Sequence, residues 1–166
     1  MSLMFEVTII MKATIQQLVA QNSRYFTDCY RHLHAHPELS FQEFETARFI
    51  QHELTTMGIP YRAKIGGTGI LGRIEGKNPT KKIIALRADM DALPVCEAVD
   101  IAWKSINEGV MHACGHDGHT AMLLGAAQIL SEYKEFNGTV RLLFQPTEEE
   151  PPSGAMSLIK EGALDG

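Results

Sequence analysis

Residues 82–94 read KIIALRADMDALP, and this stretch decides the predicted fold. Its residues 82–87 form a short apolar run, which is typical of a buried strand, and two carboxylates, Asp89 and Asp91, follow that run. Residues 139–144 form a second apolar run, and segments of helical periodicity, residues 13–31, 40–57 and 118–133, alternate with the strands. This alternation predicts an α/β protein, with a three-layer arrangement in which helices cover both faces of the sheet.

Local signals predict where several of these helices begin and end. Pro37 disfavours helical geometry at the preceding residue, so the first helix should end before it. Ser40 is followed three residues later by Glu43, which predicts a capping box at the start of the second helix. Gly58 is placed to end that helix, and Asp117 is placed to cap the third helix.

The remaining elements are shorter. Residues 59–65 and 70–75 are predicted strands separated by a glycine-rich turn, and residues 153–161 are a predicted final helix. Residues 89–109 have no clean periodicity, which indicates a long functional loop. Residues 1–12 are interpreted as an N-terminal extension or tag.

Composition limits the classes of function. The chain has 166 residues, 45% of them hydrophobic, which suits one domain with a sizeable core. The net charge is −5 and no Lys/Arg block occurs, so nucleic acid is not an expected partner. No apolar run has the length of a membrane span, so no membrane partner is expected. The three cysteines do not form a disulfide framework, which favours a cytoplasmic location.

Residues 111–119 read MHACGHDGH and concentrate reactive side chains. They hold three imidazoles, a thiol and a carboxylate: His112, Cys114, His116, Asp117 and His119. Alternate residues of an extended or looped backbone can point to one side. Thiolate and imidazole are preferred ligands of zinc and related ions, and Asp117 could hold the second ring nitrogen of a ligand histidine. The segment therefore predicts a divalent metal site.

Two acidic segments follow the two apolar runs. Asp89 and Asp91 follow the first run, and Glu148, Glu149 and Glu150 follow the second. Each segment alone is equally typical of a solvated turn. We predict that all three reactive segments follow strands and therefore meet at one edge of the sheet. One carboxylate could then bind the metal while its neighbour acts as general base on metal-bound water.

Two other kinds of site compete with this interpretation. Cys114 could be a nucleophile with His116 or His119 as its base, although the neighbouring acids suit a metal better than a thiolate. A closed structural zinc site would need four ligands, commonly in paired Cys-x-x-Cys form, and the sequence has no such pair.

Four motifs together resemble the N-acyl-amino-acid amidohydrolases, a family of metallopeptidases that includes hippurate hydrolases, aminoacylases, indole-acetyl-amino-acid hydrolases and a related carboxypeptidase. The motifs are RHLHAHPELSFQEFETA (31–47), RADMDALP (87–94), MHACGHDGHTAMLLGAA (111–127) and the stretch of residues 144–164 that begins with FQPTEEE. The resemblance implies a zinc-peptidase-like fold and metal-dependent hydrolysis of an amide bond in a small N-acyl amino acid.

The resemblance also implies a role for each matching residue. The implied metal ligands are Cys114, His116 and Glu149, and they would hold one or two ions of zinc, manganese, nickel or cobalt. Glu148 matches the catalytic general base. Asp89 and Asp117 match acids that support the metal centre, whereas His112 and His119 receive no role. Glu150 departs from the family pattern, which usually has a small residue after the Glu pair.

Family members are considerably longer than this chain, which implies further parts that the sequence does not hold. These are two more histidine ligands and a second domain that helps to close the site and often dimerises. Residues 13–166 are therefore interpreted as the N-terminal portion of a truncated catalytic domain. We expect an unpaired sheet edge, an uncovered apolar face and a possible homo-oligomer. The alternative is a non-catalytic metal-binding or regulatory remnant of the family.

Overall fold

The computed structural model describes residues 3–165, with side chains described from Thr14 onward. Four helices and four strands make up this part of the chain. In chain order they are α1 (Leu3–Ala35), α2 (Phe44–Thr56), β1 (Tyr61–Ile65), β2 (Gly69–Glu75), β3 (Ile83–Asp89), α3 (His116–Glu132), β4 (Thr139–Gln145) and α4 (Gly154–Lys160).

The strands form one mixed sheet in the order β1-β2-β4-β3. β1 pairs antiparallel with β2, and β2 pairs antiparallel with β4. β3 and β4 are parallel, and their register places Asp89 beside Gln145. The carboxyl ends of β3 and β4 therefore open at the same edge of the sheet, which is where the two acidic segments begin.

Helices cover both faces of this sheet, which confirms the predicted α/β class. Side chains of β4 alternate between the two faces because successive residues of a strand point in opposite directions. Leu142 and Phe144 are buried in the larger core cluster, which contains residues of α1, α2 and α3. Leu143 is buried on the opposite face against Leu158 of α4.

α1 is longer than the sequence predicted. The predicted start at residue 13 is wrong, because α1 begins at Leu3. No glycine or proline lies between Leu3 and Ala35, so the sequence contains no signal that would interrupt the helix. The predicted end before Pro37 is confirmed. The interpretation of residues 1–12 as an extension or tag stays a prediction, and residues 1 and 2 lie outside the described part.

The predicted capping box at Ser40 and Glu43 is wrong. α2 begins at Phe44, and Glu43 occupies the capping position without a side-chain hydrogen bond to the helix. The carboxylate of Glu38 instead accepts hydrogen bonds from the N–H groups of Glu45 and Thr46, at 3.1 and 2.8 Å. Glu38 therefore satisfies two of the N–H groups that the first turn of a helix leaves free.

The side chains of Ser40 and Glu43 have long-range partners instead. The Ser40 hydroxyl donates to Asp91 Oδ2 at 2.6 Å. The fully buried Glu43 carboxylate accepts from the Thr147 N–H at 2.7 Å and from the Thr68 hydroxyl at 2.9 Å. These bonds connect the start of α2 to the ends of β3 and β4.

Two surface properties bear on the predicted partners. β3 is an edge strand, and its residues Ile83 and Ile84 are exposed, so the expected unpaired edge is present in the described part of the chain. Within residues 3–165, no helix combines the length and the hydropathy that a membrane crossing requires.

The packing of α1 on α3 depends on Gly125. A Cβ atom at this position would lie 2.6 Å from the ring of Phe26 in α1. We predict that Gly125→Ala lowers the free energy of unfolding by about 1–3 kcal/mol, because the ring or the helix must move. Urea unfolding of the purified chain measures the change.

Gly118→Ala is the matched control in the same helix, since no atom lies within 4 Å of a Cβ there. It should leave stability unchanged or raise it by up to about 1 kcal/mol, the difference in helix propensity. Equal effects of the two substitutions would contradict the close approach of α1 to α3.

Candidate metal centre

The reactive side chains meet at the edge of the sheet where β3 and β4 end. Asp89 is the last residue of β3, and Glu148 and Glu149 follow β4. The segment of residues 111–119 reaches the same place from the start of α3, not from the end of a strand as predicted. Its predicted position after a strand is therefore wrong, but its proximity to the acidic segments is as expected.

The structure brings the three predicted ligands together. One donor atom from each of Cys114, His116 and Glu149 lies within 4.8 Å of the others. His116 Nε2 is 3.7 Å from Glu149 Oε1 and 4.0 Å from Glu148 Oε2. The Glu148 side chain is 40% exposed and that of Glu149 is 23% exposed, so Glu149 lies deeper in the site.

Glu150, the third acid of the run, is separate from this group. It is exposed and lines a neighbouring cavity of about 270 Å³ together with Leu93 and Pro94. Glu149 lines the same cavity, which therefore lies beside the three predicted ligands. Of the three consecutive glutamates, Glu148 and Glu149 are the two that face His116, and they are the two that the family resemblance implies.

Asp91 organises this site, although neither the sequence pattern nor the family resemblance implied a role of its own for it. Its Oδ2 atom accepts hydrogen bonds from the Ser40 hydroxyl and from the N–H groups of Glu148 and Glu149, at 2.6, 2.9 and 3.0 Å. Its Oδ1 atom lies 3.3 Å from His116 Nδ1, and its carbonyl oxygen lies 2.9 Å from the same nitrogen. The ring of His116 is thereby oriented with Nε2 toward the acids.

These contacts change the protonation of both partners. Burial alone would raise the pKa of Asp91, but its hydrogen bonds with His116 and the Glu149 N–H hold it far below the ordinary value. Burial alone would lower the pKa of His116, but the hydrogen bond to Asp91 and the charge of Asp89 raise it to about 9. Without a metal, the imidazole at the centre of the site therefore carries a proton at neutral pH.

Cys114 has the properties of a protonated thiol in this environment. A hydrogen bond to Glu149, together with burial and the charges of Glu148 and Asp89, raises its pKa. A reactive nucleophilic cysteine needs a lowered pKa, which positive neighbours or a helix N-terminus usually supply. The acids around Cys114 therefore disfavour the thiol-nucleophile alternative. A cation placed among them would reverse this effect.

Asp89 forms a second group of potential ligands beside the first. Its Oδ1 atom lies 2.6 Å from His119 Nδ1 and 3.6 Å from His116 Nε2. Its other oxygen pairs with Arg87 at 3.1 Å, which orients the carboxylate. Donor atoms of Asp89, His116 and His119 all lie within 4.8 Å of one another, so His116 belongs to both groups.

Asp117 has a different partner from the one predicted. It does not cap α3 with its side chain, since Gly115, with φ of +92°, occupies the capping position. Its Oδ2 atom lies 2.6 Å from Nδ1 of His34 in α1. The expectation that Asp117 holds the second nitrogen of a ligand histidine is therefore wrong. Asp91 makes that contact with His116.

His112 lies buried beneath this site. No hydrogen-bond partner for either of its ring nitrogens is present among the described residues. Burial lowers its pKa to about 4, so the ring is neutral at physiological pH. Of the three alternate residues His112, Cys114 and His116, only His112 lies outside the predicted ligand group.

The chain is similar to known proteins both in sequence and in structure. The sequence profile of peptidase family M20/M25/M40 matches residues 85–166. An N-acyl-L-amino acid amidohydrolase of Geobacillus stearothermophilus is 46% identical over 156 residues, which are 93% of this chain and 42% of that protein. IAA-amino acid hydrolase ILR1-like 2 of Arabidopsis thaliana is 51% identical over 135 residues, 81% of this chain and 30% of that protein.

Solved structures give the same result. A protein from methicillin-resistant Staphylococcus aureus matches with a TM-score of 0.86 and 42% identity, over 90% of this chain and 39% of that one. A Bacillus subtilis protein described as a dinuclear metal-binding peptidase of the M20 family matches with a TM-score of 0.81 and 40% identity, over 86% of this chain and 40% of that one. The chain thus spans less than half the length of these relatives.

The raised pKa of His116 predicts a pH dependence for the chain treated with a chelator. The folded-state pKa, about 9, is above the ordinary value of 6.5, so the stabilisation is fully present below pH 6.5 and lost as the pH rises to 9. At about 1.4 kcal/mol per pKa unit, the loss is at most about 3 kcal/mol. Urea unfolding between pH 6 and 9 measures it, and His116→Gln should flatten the curve.

His112→Gln is the matched control for that experiment. The pKa of His112 is lowered to about 4, so its contribution is present above pH 6.5 and lost as the pH falls toward 4. This variant should change the pH dependence only on the acid side. The assignment fails if His116→Gln retains the wild-type slope above pH 6.5.

Proposed function

We propose, because this chain belongs to peptidase family M20/M25/M40, that the site at the ends of β3 and β4 binds a divalent metal and serves the hydrolysis of an amide bond in an N-acyl amino acid. The observation that carries the proposal is the convergence of Cys114 and His116, at the start of α3, with Glu149, after β4, to within 4.8 Å, with Glu148 beside them. The relatives named as amidohydrolases and hydrolases supply the reaction class.

The donor set fits a divalent metal. Glu149 Oε1 is buried and has no hydrogen-bond partner among the described residues, and a cation at the site would supply a partner. A thiol, an imidazole and a carboxylate are the usual ligand types of zinc, and cobalt, nickel and manganese can use the same nitrogen and oxygen donors. The proposed ligands are Cys114, His116 and Glu149.

A second ion is part of the proposal. The Bacillus subtilis relative is described as a dinuclear metal-binding peptidase. Here, Asp89 and His119 form a second group of donors with His116 and supply oxygen and nitrogen donors for a neighbouring position. One ion or two can therefore be distinguished by the metal content of the purified chain.

The chemistry follows from the positions of the acids. A divalent ion, when bound, lowers the pKa of a water toward about 7 and stabilises negative charge on the substrate carbonyl oxygen. Glu148 is the more exposed acid of the pair and can remove a proton from that water and return it to the leaving amine. Asp91 contacts both the His116 ring and the backbone N–H groups of Glu148 and Glu149. The base Glu148 and the ligands His116 and Glu149 are therefore held in fixed positions relative to one another.

The proposed partner is a small N-acyl amino acid, with no nucleic acid or membrane. A second copy of the chain is the proposed protein partner, because the free edge of β3 exposes Ile83 and Ile84. Light scattering should give the mass of more than one copy, and Ile84→Lys, which places a charge on the edge, should shift it toward one copy. A wild-type chain of single-copy mass at high concentration would contradict this.

The roles of the acids can be separated by substitution. We predict that Glu148→Gln retains the metal but lowers the turnover of an N-acyl amino acid by about 10²- to 10⁴-fold, because the general base is lost. Cys114→Ser and Glu149→Gln should lose metal and turnover together. Elemental analysis measures the metal, and release of the free amine measures turnover.

Glu150→Gln is the matched control, since it removes the neighbouring acid that does not face His116. It should retain both the metal and most of the activity. A wild-type chain that binds metal without turnover would refute the hydrolytic role and favour a metal-binding or regulatory module. A chain that neither binds metal nor turns over substrate would refute the proposal as a whole.

A further inference from the structure

A buried histidine of α1 connects two acids that belong to different parts of the site. His34 Nδ1 lies 2.6 Å from Asp117 Oδ2, and His34 Nε2 lies 3.1 Å from Glu97 Oε1. The three residues are 5%, 3% and 9% exposed, so their charges are shielded from water. The ring of Tyr30 packs on the imidazole, with 5.6 Å between the ring centres.

The two acids stand at the two ends of one chain segment. Glu97 lies in the long loop between β3 and α3, and Asp117 lies in the first turn of α3, directly after His116. Cys114 lies between them in sequence. The imidazole of His34 therefore contacts both ends of the segment of residues 97–117, and this segment carries two of the proposed metal ligands.

Other contacts hold the same segment against the end of α1. The second oxygen of Glu97 accepts a hydrogen bond from the Ser105 N–H at 2.7 Å. The Ile106 N–H donates to the Ala35 carbonyl oxygen at 2.9 Å, and the Asn107 amide donates to the Pro37 carbonyl oxygen at 2.8 Å. The middle of the segment is thus fixed to residues 35–37, while His34 fixes its ends.

The chemistry of the three groups makes this a strong connection. Burial works against a charged imidazole, but the hydrogen bonds to Asp117 and Glu97 raise the pKa of His34, so both ring nitrogens can donate. Charge-assisted hydrogen bonds are shorter and stronger than neutral ones. If the imidazole were removed, two buried carboxylates would lose their partner, and the segment would regain conformational freedom.

We propose that His34 is a positioning residue of the metal centre: it holds Glu97 and Asp117 together and thereby sets where Cys114 lies relative to His116. His34 is not a proposed metal ligand and acts through the segment of residues 97–117, whose two ends it holds together. This inference rests on the proposed function, because it assigns His34 a role in a metal site that the proposed function requires.

The test compares two variants that each remove a side-chain hydrogen bond between α1 and another part of the chain. His34→Gln removes the connection described above. Tyr25→Phe removes the hydrogen bond from the Tyr25 hydroxyl to Glu53 Oε2 at 2.8 Å, which joins α1 to α2 far from the site. Unfolding curves for both variants show how much stability each has lost.

Cobalt(II) binding to the whole chain is the first readout. Loss of a residue that supports a metal ligand typically weakens metal affinity by about 10- to 100-fold. We expect this loss for His34→Gln, together with a weaker thiolate-to-cobalt charge-transfer band at saturation because Cys114 is displaced. Tyr25→Phe should bind cobalt with the wild-type affinity and band. Equal affinity and band intensity in His34→Gln and the wild type would overturn the inference.

Amide hydrogen exchange without metal is the second readout, and it separates this inference from the proposed function. His34→Gln should speed exchange in the segment of residues 97–117, whereas Tyr25→Phe should leave that segment unchanged. A wild-type chain that fails to bind cobalt refutes the proposed function. Unchanged exchange in the segment of His34→Gln refutes the role of His34, whatever the cobalt result.

Discussion

One carboxylate, that of Asp91, connects three segments of the candidate metal centre. It accepts hydrogen bonds from the start of the α2 segment through Ser40 and from the loop after β4 through the N–H groups of Glu148 and Glu149. It also lies against the ring of His116 at the start of α3. Hydrogen bonds to a charged group contribute about 1.5–3 kcal/mol each, so this residue both stabilises the fold and arranges the ligands.

Asp91 can make these contacts only because β3 and β4 are parallel neighbours. Their register sets Asp89 beside Gln145, so both strands end at the same level of the sheet. The residues that follow the two strands are therefore within hydrogen-bond distance of one another. The rest of the site is then added from the helices on one face. As a consequence, polar groups are concentrated in the interior at this end of the sheet. Most of them have hydrogen-bond partners, as the contacts of Glu43 and His34 show. Among the buried polar atoms without a partner in the described part of the chain, Glu149 Oε1 lies where a cation would be held.

Much of this arrangement could be predicted from the sequence. The apolar runs located β3 and β4 to within two residues, because a buried strand needs little more than a short hydrophobic sequence between polar ends. Pro37 located the end of α1. The density of thiol, imidazole and carboxylate groups in residues 111–119 indicated the candidate site, and the fold brings Cys114 and His116 of that segment together with Glu149.

Predictions from the sequence were wrong where a side chain could form its hydrogen bond either with a nearby backbone group or with a residue that is remote in sequence. Ser40 and Glu43 have the spacing of a capping box, but their side chains bind Asp91, Thr147 and Thr68, which are remote in sequence. Asp117 likewise has the position of a helix cap and binds His34 instead. Local patterns describe which hydrogen bonds are available nearby, and they contain no information about a partner that only the tertiary fold brings close.

We propose that a thiolate, an imidazole and a carboxylate bind one divalent ion at the ends of β3 and β4, and X-ray absorption at the zinc edge of the zinc-loaded chain is the sharpest test of this arrangement. The spectrum should contain one sulfur ligand at about 2.3 Å with nitrogen and oxygen ligands at about 2.0–2.2 Å, and Cys114→Ser should lose the sulfur shell. A bound zinc with nitrogen and oxygen ligands alone, and with the same spectrum in Cys114→Ser, would contradict it.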